Sequence, residues 1–144
     1  MPRCFSAILL LILVSCAPLA ESGAPRDAGG FFAQRVLHIA QLERAGTPFV
    51  IPSRCLSACT MYLGLSTACA QPDGVLGFHS VDLPGQVAFV AVVDALNRKM
   101  AEYYPPRLEQ WFLEEGPGRT RSTAFVMIPA SELIAKGEVR PCRA

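Results

Sequence analysis

Ser57 and His79 are the residues whose types and positions could together carry out a chemical step. Ser57 lies in the segment RCLSACT (54–60), where the pattern predicts a strand that gives way to a helix. The first turn of a helix has unpaired backbone N–H groups and the positive end of the helix dipole. A serine there could act as a nucleophile whose oxyanion is stabilised. Serine is also a favoured N-cap residue, and local chemistry alone favours that structural role.

His79 shifts the balance towards catalysis. It lies in a predicted apolar strand, 75–81, and one predicted helix separates this strand from Ser57. Parallel strands joined through a helix end at the same edge of a sheet, so His79 could accept the Ser57 proton as a general base. The alternative is a core histidine that is hydrogen-bonded to the backbone.

The elements that must position these residues alternate between strands and helices. A helix should begin after Gly29-Gly30, bury an apolar face and end at Gly46, with His38 solvated on its polar face. A long helix, 86–104, should bury a stripe formed by Phe89, Val92, Val93, Leu96, Met100 and Tyr103. The other predicted elements are strands 47–51, 124–128 and 138–139, helices 57–65, 107–114 and 131–137, a turn at 72–74 and a loop at 116–121. This alternation predicts an α/β fold with mostly parallel short strands.

The first sixteen residues, MPRCFSAILLLILVSC, are typical of an export signal. Arg3 precedes an apolar run, 5–14, which is too short to span a bilayer as a mature helix. The run ends in LVSC (13–16), which looks like a bacterial lipobox, so we expect cleavage before Cys16 and attachment of diacylglycerol to its thiol. An ordinary signal peptide that is cut further on is the alternative. The lipobox interpretation predicts an exported, lipid-anchored protein on the periplasmic side of a bacterial membrane, with 1–15 as signal peptide, 16–28 as tether and 29–144 as one domain.

Net charge and cysteine content bear on three further questions: nucleic-acid binding, disulfide formation and metal binding. The net charge of +1 gives no electrostatic basis for binding nucleic acid. If Cys16 is lipidated, four cysteines of the mature domain could form two disulfides in three possible connectivities. The four are Cys55, Cys59, Cys69 and Cys142. The first three of them could instead bind zinc with His79, but the C-x3-C spacing has no second pair, and we expect neither a metal nor another cofactor.

Three motifs together resemble the Clp protease/crotonase superfamily and, more narrowly, exported bacterial proteins with a degenerate Clp-protease-like domain. They are Gly29-Gly30 at a helix start, CLSACT (55–60) at the next helix start, and GFH (77–79) on a strand. A C-terminal segment, 131–139, is similar to the family's EL…GxV pattern. The resemblance covers Gly29 to about Val139, which is nearly all of the expected mature chain.

The resemblance implies a fold and a set of site residues. The fold would be a crotonase-like α/β domain. The implied site consists of Ser57 as nucleophile, His79 as base, and the backbone N–H groups of Gly30 and Ala58 as the oxyanion hole. Cys55 and Cys59 recur together in the resembling motif, which leaves Cys69 and Cys142 as the second disulfide pair.

The chain departs from the family pattern in two places. The stretch where the family carries its triad acid, 116–125 here, has no Asp or Glu, although Glu114 and Glu115 lie just before it. The strands that family members have before the Gly-Gly turn would fall in the predicted signal and tether, so the sheet should be trimmed there and have an open edge. Two functions follow. One is a weak serine hydrolase or peptidase with a Ser57–His79 dyad. The other is a non-catalytic envelope protein that binds a peptide or protein partner at the cleft or open edge, either alone or as an oligomer.

Overall fold

Short strands and helices alternate along the chain in a computed structural model, which describes residues 21–22, 26–83 and 89–143. The predicted signal peptide and Cys16 lie outside the described residues. The strands of the described part are β1 (Glu21–Ser22), β2 (Arg26–Asp27), β3 (Phe49–Ile51), β4 (Arg54–Leu56), β5 (Ala68–Ala70), β6 (Val75–Phe78), β7 (Val126–Pro129) and β8 (Arg140–Pro141). Its α-helices are α1 (Phe32–Ala45), α2 (Val90–Ala101), α3 (Pro106–Glu114), α4 (Pro117–Thr120) and α5 (Ala130–Ala135), and a 3₁₀ helix spans Ser57–Gly64.

The strands form two four-stranded sheets, in the orders β1-β3-β5-β8 and β2-β4-β6-β7. Every pairing among the described strands is parallel except that of β7, which runs antiparallel to β6. The fold is therefore mixed α/β with mostly parallel short strands, as the alternation of elements predicts. Because β2, β4 and β6 are neighbours and parallel, the residues that follow them meet at one edge of the sheet.

Two very short strands lie within the segment 16–28 that the sequence pattern assigns to a tether. β1 pairs with β3, and β2 pairs with β4. They supply edge strands before the Gly-Gly turn, where the sequence pattern predicts none. With two residues each, they carry too little apolar pattern to be recognised from the sequence.

Helix α1 agrees with its prediction in bounds and in buried face. Ile39 and Leu42 are buried, and Phe32 and Val36 pack against the core. The helix ends where Gly46 adopts the left-handed conformation, with φ of 60°, a backbone geometry that glycine adopts without steric cost.

Helix α2 buries only the C-terminal end of the predicted stripe. Met100 is buried and Tyr103 packs against the core, whereas Phe89 and Val92 are exposed. The predicted loop 116–121 is also wrong, because Pro117 starts the short helix α4.

Both disulfides of the implied pairing are present: Cys55–Cys59 and Cys69–Cys142. The alternative zinc set is not formed, because three of its four ligands are these disulfide sulfurs. Two disulfides are typical of proteins in an oxidising or extracellular environment. Within the described residues, no helix is long and apolar enough to span a membrane.

Candidate serine–histidine site

Ser57 and His79 meet at the carboxyl edge of the sheet. Ser57 directly follows β4, and His79 directly follows β6, which is the parallel neighbour of β4 with Leu56 opposite Gly77. The His79 Nε2 atom lies 2.7 Å from the Ser57 Oγ atom, which is a hydrogen bond of good length. The structure thus brings together the two side chains that the sequence pairs as nucleophile and base.

The backbone of Ser57 is strained, with φ of 55° in the left-handed region. This conformation is uncommon for a residue with a side chain and costs on the order of 1–3 kcal/mol. Such a sharp strand-to-helix turn exposes the hydroxyl of a nucleophilic serine. The N-cap residue of the 3₁₀ helix is Leu56, and Ser57 is the first residue of the helix, so Ser57 does not fill the N-cap role.

The disulfide Cys55–Cys59 brackets this turn. Cys55 is the middle residue of β4, Cys59 lies in the 3₁₀ helix, and both are fully buried. Their Cα atoms are 5.3 Å apart across a separation of four residues. The bridge therefore links the strand before Ser57 to the helix after it and holds the strained turn in place.

The His79 imidazole is half-buried, and burial lowers its pKa below the usual value. The negative charge of Asp82 and the backbone of Ser80 oppose this shift by raising the pKa. On one side the ring contacts Phe125 edge-to-face, with ring centroids 4.6 Å apart. His79 is therefore poised as a neutral base at neutral pH.

The second ring nitrogen of His79 lacks the support that a catalytic triad would give it. Its Nδ1 atom is buried and has no hydrogen-bond partner among the described residues. The two acidic candidates do not fill this role in the structure: Glu114 and Glu115 are exposed, and the Glu114 carboxylate accepts a hydrogen bond from Gln110. Asp82 is the acidic residue whose negative charge raises the pKa of His79. The sequence pattern did not indicate Asp82, because it lies outside the stretch where the family carries its triad acid.

The chain after His79 is anchored by a buried asparagine. Asn97 Nδ2 donates to Ser80 Oγ at 2.8 Å, and the Val81 N–H donates to Asn97 Oδ1 at 2.8 Å. Both Asn97 and Ser80 are almost fully buried. Removing the Asn97 amide would leave buried polar groups unpaired. Asn97 therefore fixes the position of the segment that follows β6 and begins with His79. It carries no sequence signal, since it lies in the middle of α2.

The Gly29-Gly30 turn lies against Ser57. A Cβ on Gly29 would come within 2.6 Å of the Ser57 Cβ, which explains why no side chain is tolerated there. The Gly29 N–H donates to Asp27 Oδ1 at 2.8 Å, whereas the Gly30 N–H has no partner in the described part of the chain. Gly30 is exposed, and a Cβ there would meet nothing within 4 Å, so open space adjoins this residue. Of the two glycines, Gly30 is the one that can serve as an oxyanion donor.

A buried hydrogen-bond chain holds the Ser57–Ala58 peptide group, which contains the Ala58 N–H of the expected oxyanion hole. Thr60 Oγ1 donates to the Ser57 carbonyl at 2.7 Å, and the Tyr104 hydroxyl lies 2.8 Å from Thr60 Oγ1. Because the Thr60 hydrogen is directed at Ser57, the Tyr104 hydroxyl is the donor to Thr60, and burial raises the Tyr104 pKa so that it stays protonated. In a trans peptide the C=O and N–H point in opposite directions, so this chain also fixes the Ala58 N–H.

His38 is not the solvated residue that the helix pattern predicts. Its Nδ1 atom lies 2.5 Å from the Tyr62 hydroxyl, and its ring contacts Phe49 and Tyr62 edge-to-face. His38 packs against the protein because the Tyr62 hydroxyl is its hydrogen-bond partner. The sequence pattern does not reveal this partner.

Neither a scan against models of known protein families nor a search of curated proteins found a match to this chain. The assignment of function therefore depends on the geometry described above.

Proposed function

We propose that this protein is a weak serine hydrolase that acts on peptides, built on a Clp-protease-like, crotonase-type α/β domain. The observation that carries the proposal is the 2.7 Å contact between His79 Nε2 and Ser57 Oγ at the edge of the sheet. The strained backbone of Ser57 supports it, because a purely structural serine does not need this cost. The adjacent Gly29-Gly30 turn also supports it, because the absence of a side chain lets the Gly29 backbone lie against Ser57.

The proposed reaction is acyl transfer through Ser57. His79 Nε2 takes the hydroxyl proton as Oγ bonds to the substrate carbonyl carbon, and the carbonyl oxygen becomes an oxyanion that the Gly30 and Ala58 N–H groups stabilise. Collapse of this intermediate breaks the bond to the leaving amine, which takes the proton from His79. Water then attacks the acyl group with His79 again as base, which releases the acid and restores Ser57.

The lack of a partner for His79 Nδ1 among the described residues explains why the activity should be weak. As the ring gains a proton at Nε2, the Nδ1–H needs an acceptor to orient the ring and stabilise the imidazolium. Loss of a triad carboxylate can cost about 10⁴ in turnover. The charge of Asp82 offsets only part of this loss, since its side chain is exposed to solvent.

A non-catalytic binding function is the second candidate, and the surface of β7 favours it. Val126 and Met127 in β7 and the preceding Phe125 are large apolar side chains that are each at least 40% exposed. β7 also lies at the end of its sheet among the described strands, and Phe125 contacts His79. An exposed apolar edge strand is a surface that a partner strand can cover, so the protein would bind a peptide beside Ser57 without cleaving it.

A fluorophosphonate probe separates the two functions. We expect slow labelling of the wild type and none of Ser57→Ala, with nearly the same thermal midpoint in both, because the Ser57 hydroxyl caps no helix. Intact-mass measurement of the probe adduct and differential scanning calorimetry test this. A wild type that stays unlabelled while still binding peptides would instead establish the non-catalytic function.

We also propose that the domain is held at the periplasmic side of a bacterial membrane by lipid on Cys16. The lipobox-like LVSC motif supports this, and the two disulfides are consistent with an exported location. Anchoring by two or more acyl chains is stable, whereas a single chain binds marginally. Membrane fractionation should find the wild type in the membrane and Cys16→Ala in the soluble fraction. Equal release of both would rule out the anchor.

A further inference from the structure

Arg35 of α1 contacts the two segments that supply the proposed oxyanion donors. Resting on the proposed function, we propose that Arg35 and its partner Asp27 are positioning residues that orient the Gly30 N–H relative to Ser57. Nothing in the sequence pattern marks this pair, since Arg35 reads as one of several polar residues on α1.

The first contact is with the Gly29 peptide. Arg35 Nη2 donates to the Gly29 carbonyl at 2.6 Å. In a trans peptide the following N–H points away from the carbonyl, so the Gly30 N–H is turned away from the guanidinium. Fixing the Gly29 carbonyl therefore fixes the direction of the proposed donor.

Asp27 completes a closed ring of interactions around Gly29. Its Oδ1 atom accepts the Gly29 N–H at 2.8 Å, and its two oxygens lie 3.0 and 2.9 Å from Arg35 Nη2. Both side chains of the pair are mostly buried, with 13% and 19% exposure, so solvent weakens this ion pair less than a surface pair. Both polar groups of the Gly29 backbone are occupied. The turn, with φ of 105° at Gly29 and 111° at Gly30, cannot rotate without breaking at least one of these bonds.

The second contact ties the turn to the Ser57 helix. Arg35 Nη1 donates to the Tyr62 hydroxyl at 2.6 Å, and the guanidinium carbon lies 4.7 Å from the centre of the Tyr62 ring. Tyr62 is buried in the 3₁₀ helix that begins at Ser57 and also contains Ala58. One guanidinium thus spans the gap between the Gly30 donor and the helix that carries the Ala58 donor, and it sets their spacing.

The need for two separated donors explains why the residue is an arginine. The planar guanidinium donates through Nη1 and Nη2 in fixed directions, whereas a lysine ammonium is a single point charge that cannot reproduce both contacts. Removing one oxyanion donor typically costs about 10²–10³ in rate, and a misplacement of about 1 Å can cost about 10². We therefore expect Arg35→Met to lower the maximal rate of probe labelling about 10²-fold and Arg35→Lys about tenfold or more, with the probe's binding constant little changed.

The experiment compares this pair with a matched surface pair. Arg121 and Asp94 form a two-bonded ion pair at 2.7 and 2.8 Å that lies outside the site. Full-length wild type, Arg35→Met, Arg35→Lys and Asp27→Asn are labelled with fluorophosphonate alongside Arg121→Lys and Asp94→Asn, and the maximal rate and the probe binding constant are separated by varying the probe concentration. Slower maximal labelling in the Arg35 and Asp27 variants alone supports the inference. Unchanged maximal rates, or a loss confined to probe binding, overturn it.

Amide hydrogen exchange at Gly29, whose N–H is hydrogen-bonded to Asp27 and is therefore protected, provides a second measurement that does not depend on activity. Loss of the Arg35 contact should speed exchange at Gly29, while the Arg121→Lys variant should match the wild type. If the wild type itself does not label, the proposed hydrolase fails, and the Gly29 exchange data alone decide whether Arg35 orients the turn. Unchanged exchange in Arg35→Lys, which conserves charge and should fold, overturns the positioning role.

Discussion

Replacing His79 with glutamine is expected to slow the labelling of Ser57 by about 10²-fold or more. A positioned general base typically contributes about 10²–10⁴, and glutamine keeps polar atoms near Ser57 Oγ but cannot take its proton. The measurement is the rate constant for covalent labelling by a fluorophosphonate, followed by intact mass. His38→Gln is the matched control, because the chain has two histidines and His38 contacts Tyr62 rather than Ser57.

The labelling rate should also depend on pH through the protonation of His79. Only the neutral imidazole can accept a proton, and burial lowers the pKa of His79 below 6.5. The wild-type rate should therefore rise with pH, reach half its maximum below pH 6.5 and stay level at neutral pH. The His79→Gln profile should lose this step, and the His38→Gln profile should keep it. A step that survives in His79→Gln would show that another group is the base.

The same shift links His79 to stability. Its pKa is lower in the folded state than in the unfolded chain, so the folded state binds its proton less readily. The resulting stability is complete above the unfolded-state pKa of about 6.5 and is lost as the pH falls through the lower folded-state pKa. Acid below pH 6.5 should therefore weaken the fold and slow labelling together.

Removing the Cys69–Cys142 disulfide is expected to cause a large loss of stability. The bridge connects β5 to the chain just after β8 and spans 73 residues of sequence. In the chain-entropy model, opening a loop of this size costs roughly 4 kcal/mol, against roughly 2 kcal/mol for the four-residue separation of Cys55–Cys59. Equilibrium urea unfolding of Cys69→Ala/Cys142→Ala and of Cys55→Ala/Cys59→Ala measures both losses.

The ranking of the two disulfides should reverse for the rate of Ser57 labelling, where loss of Cys55–Cys59 should have the larger effect. Cys69–Cys142 belongs to the sheet that does not carry Ser57, so the folded fraction of its double alanine variant should label at the wild-type rate. Cys55–Cys59 brackets the strained turn at Ser57, so its double alanine variant should label more slowly even where it is fully folded. Equal labelling by both variants would mean that the short bridge does not position Ser57.

Elements with strong local signals are the ones that the sequence predicts correctly. Helix α1 has an apolar face at helical spacing and a glycine at its end, and α3 starts at a proline, so their bounds follow from local backbone chemistry. Strand β3 follows from its apolar run. By contrast, β5 consists of Ala68, Cys69 and Ala70, small residues without strand preference, and it exists because β3 and β8 flank it.

The candidate site shows the same division. The sequence by itself determined the pair Ser57 and His79, because residue type, a strand-to-helix boundary and a strand with one intervening helix are all local features. Only the tertiary structure decided how that pair is supported. Arg35 contacts Gly29 and Tyr62, and Asn97 holds the segment after His79. The Nδ1 atom of His79 is buried without an acceptor among the residues that the structure describes. These contacts join residues that are distant in sequence or lie on separate elements. Their formation depends on how the sheet and helices pack, which no local pattern of apolar and polar residues specifies.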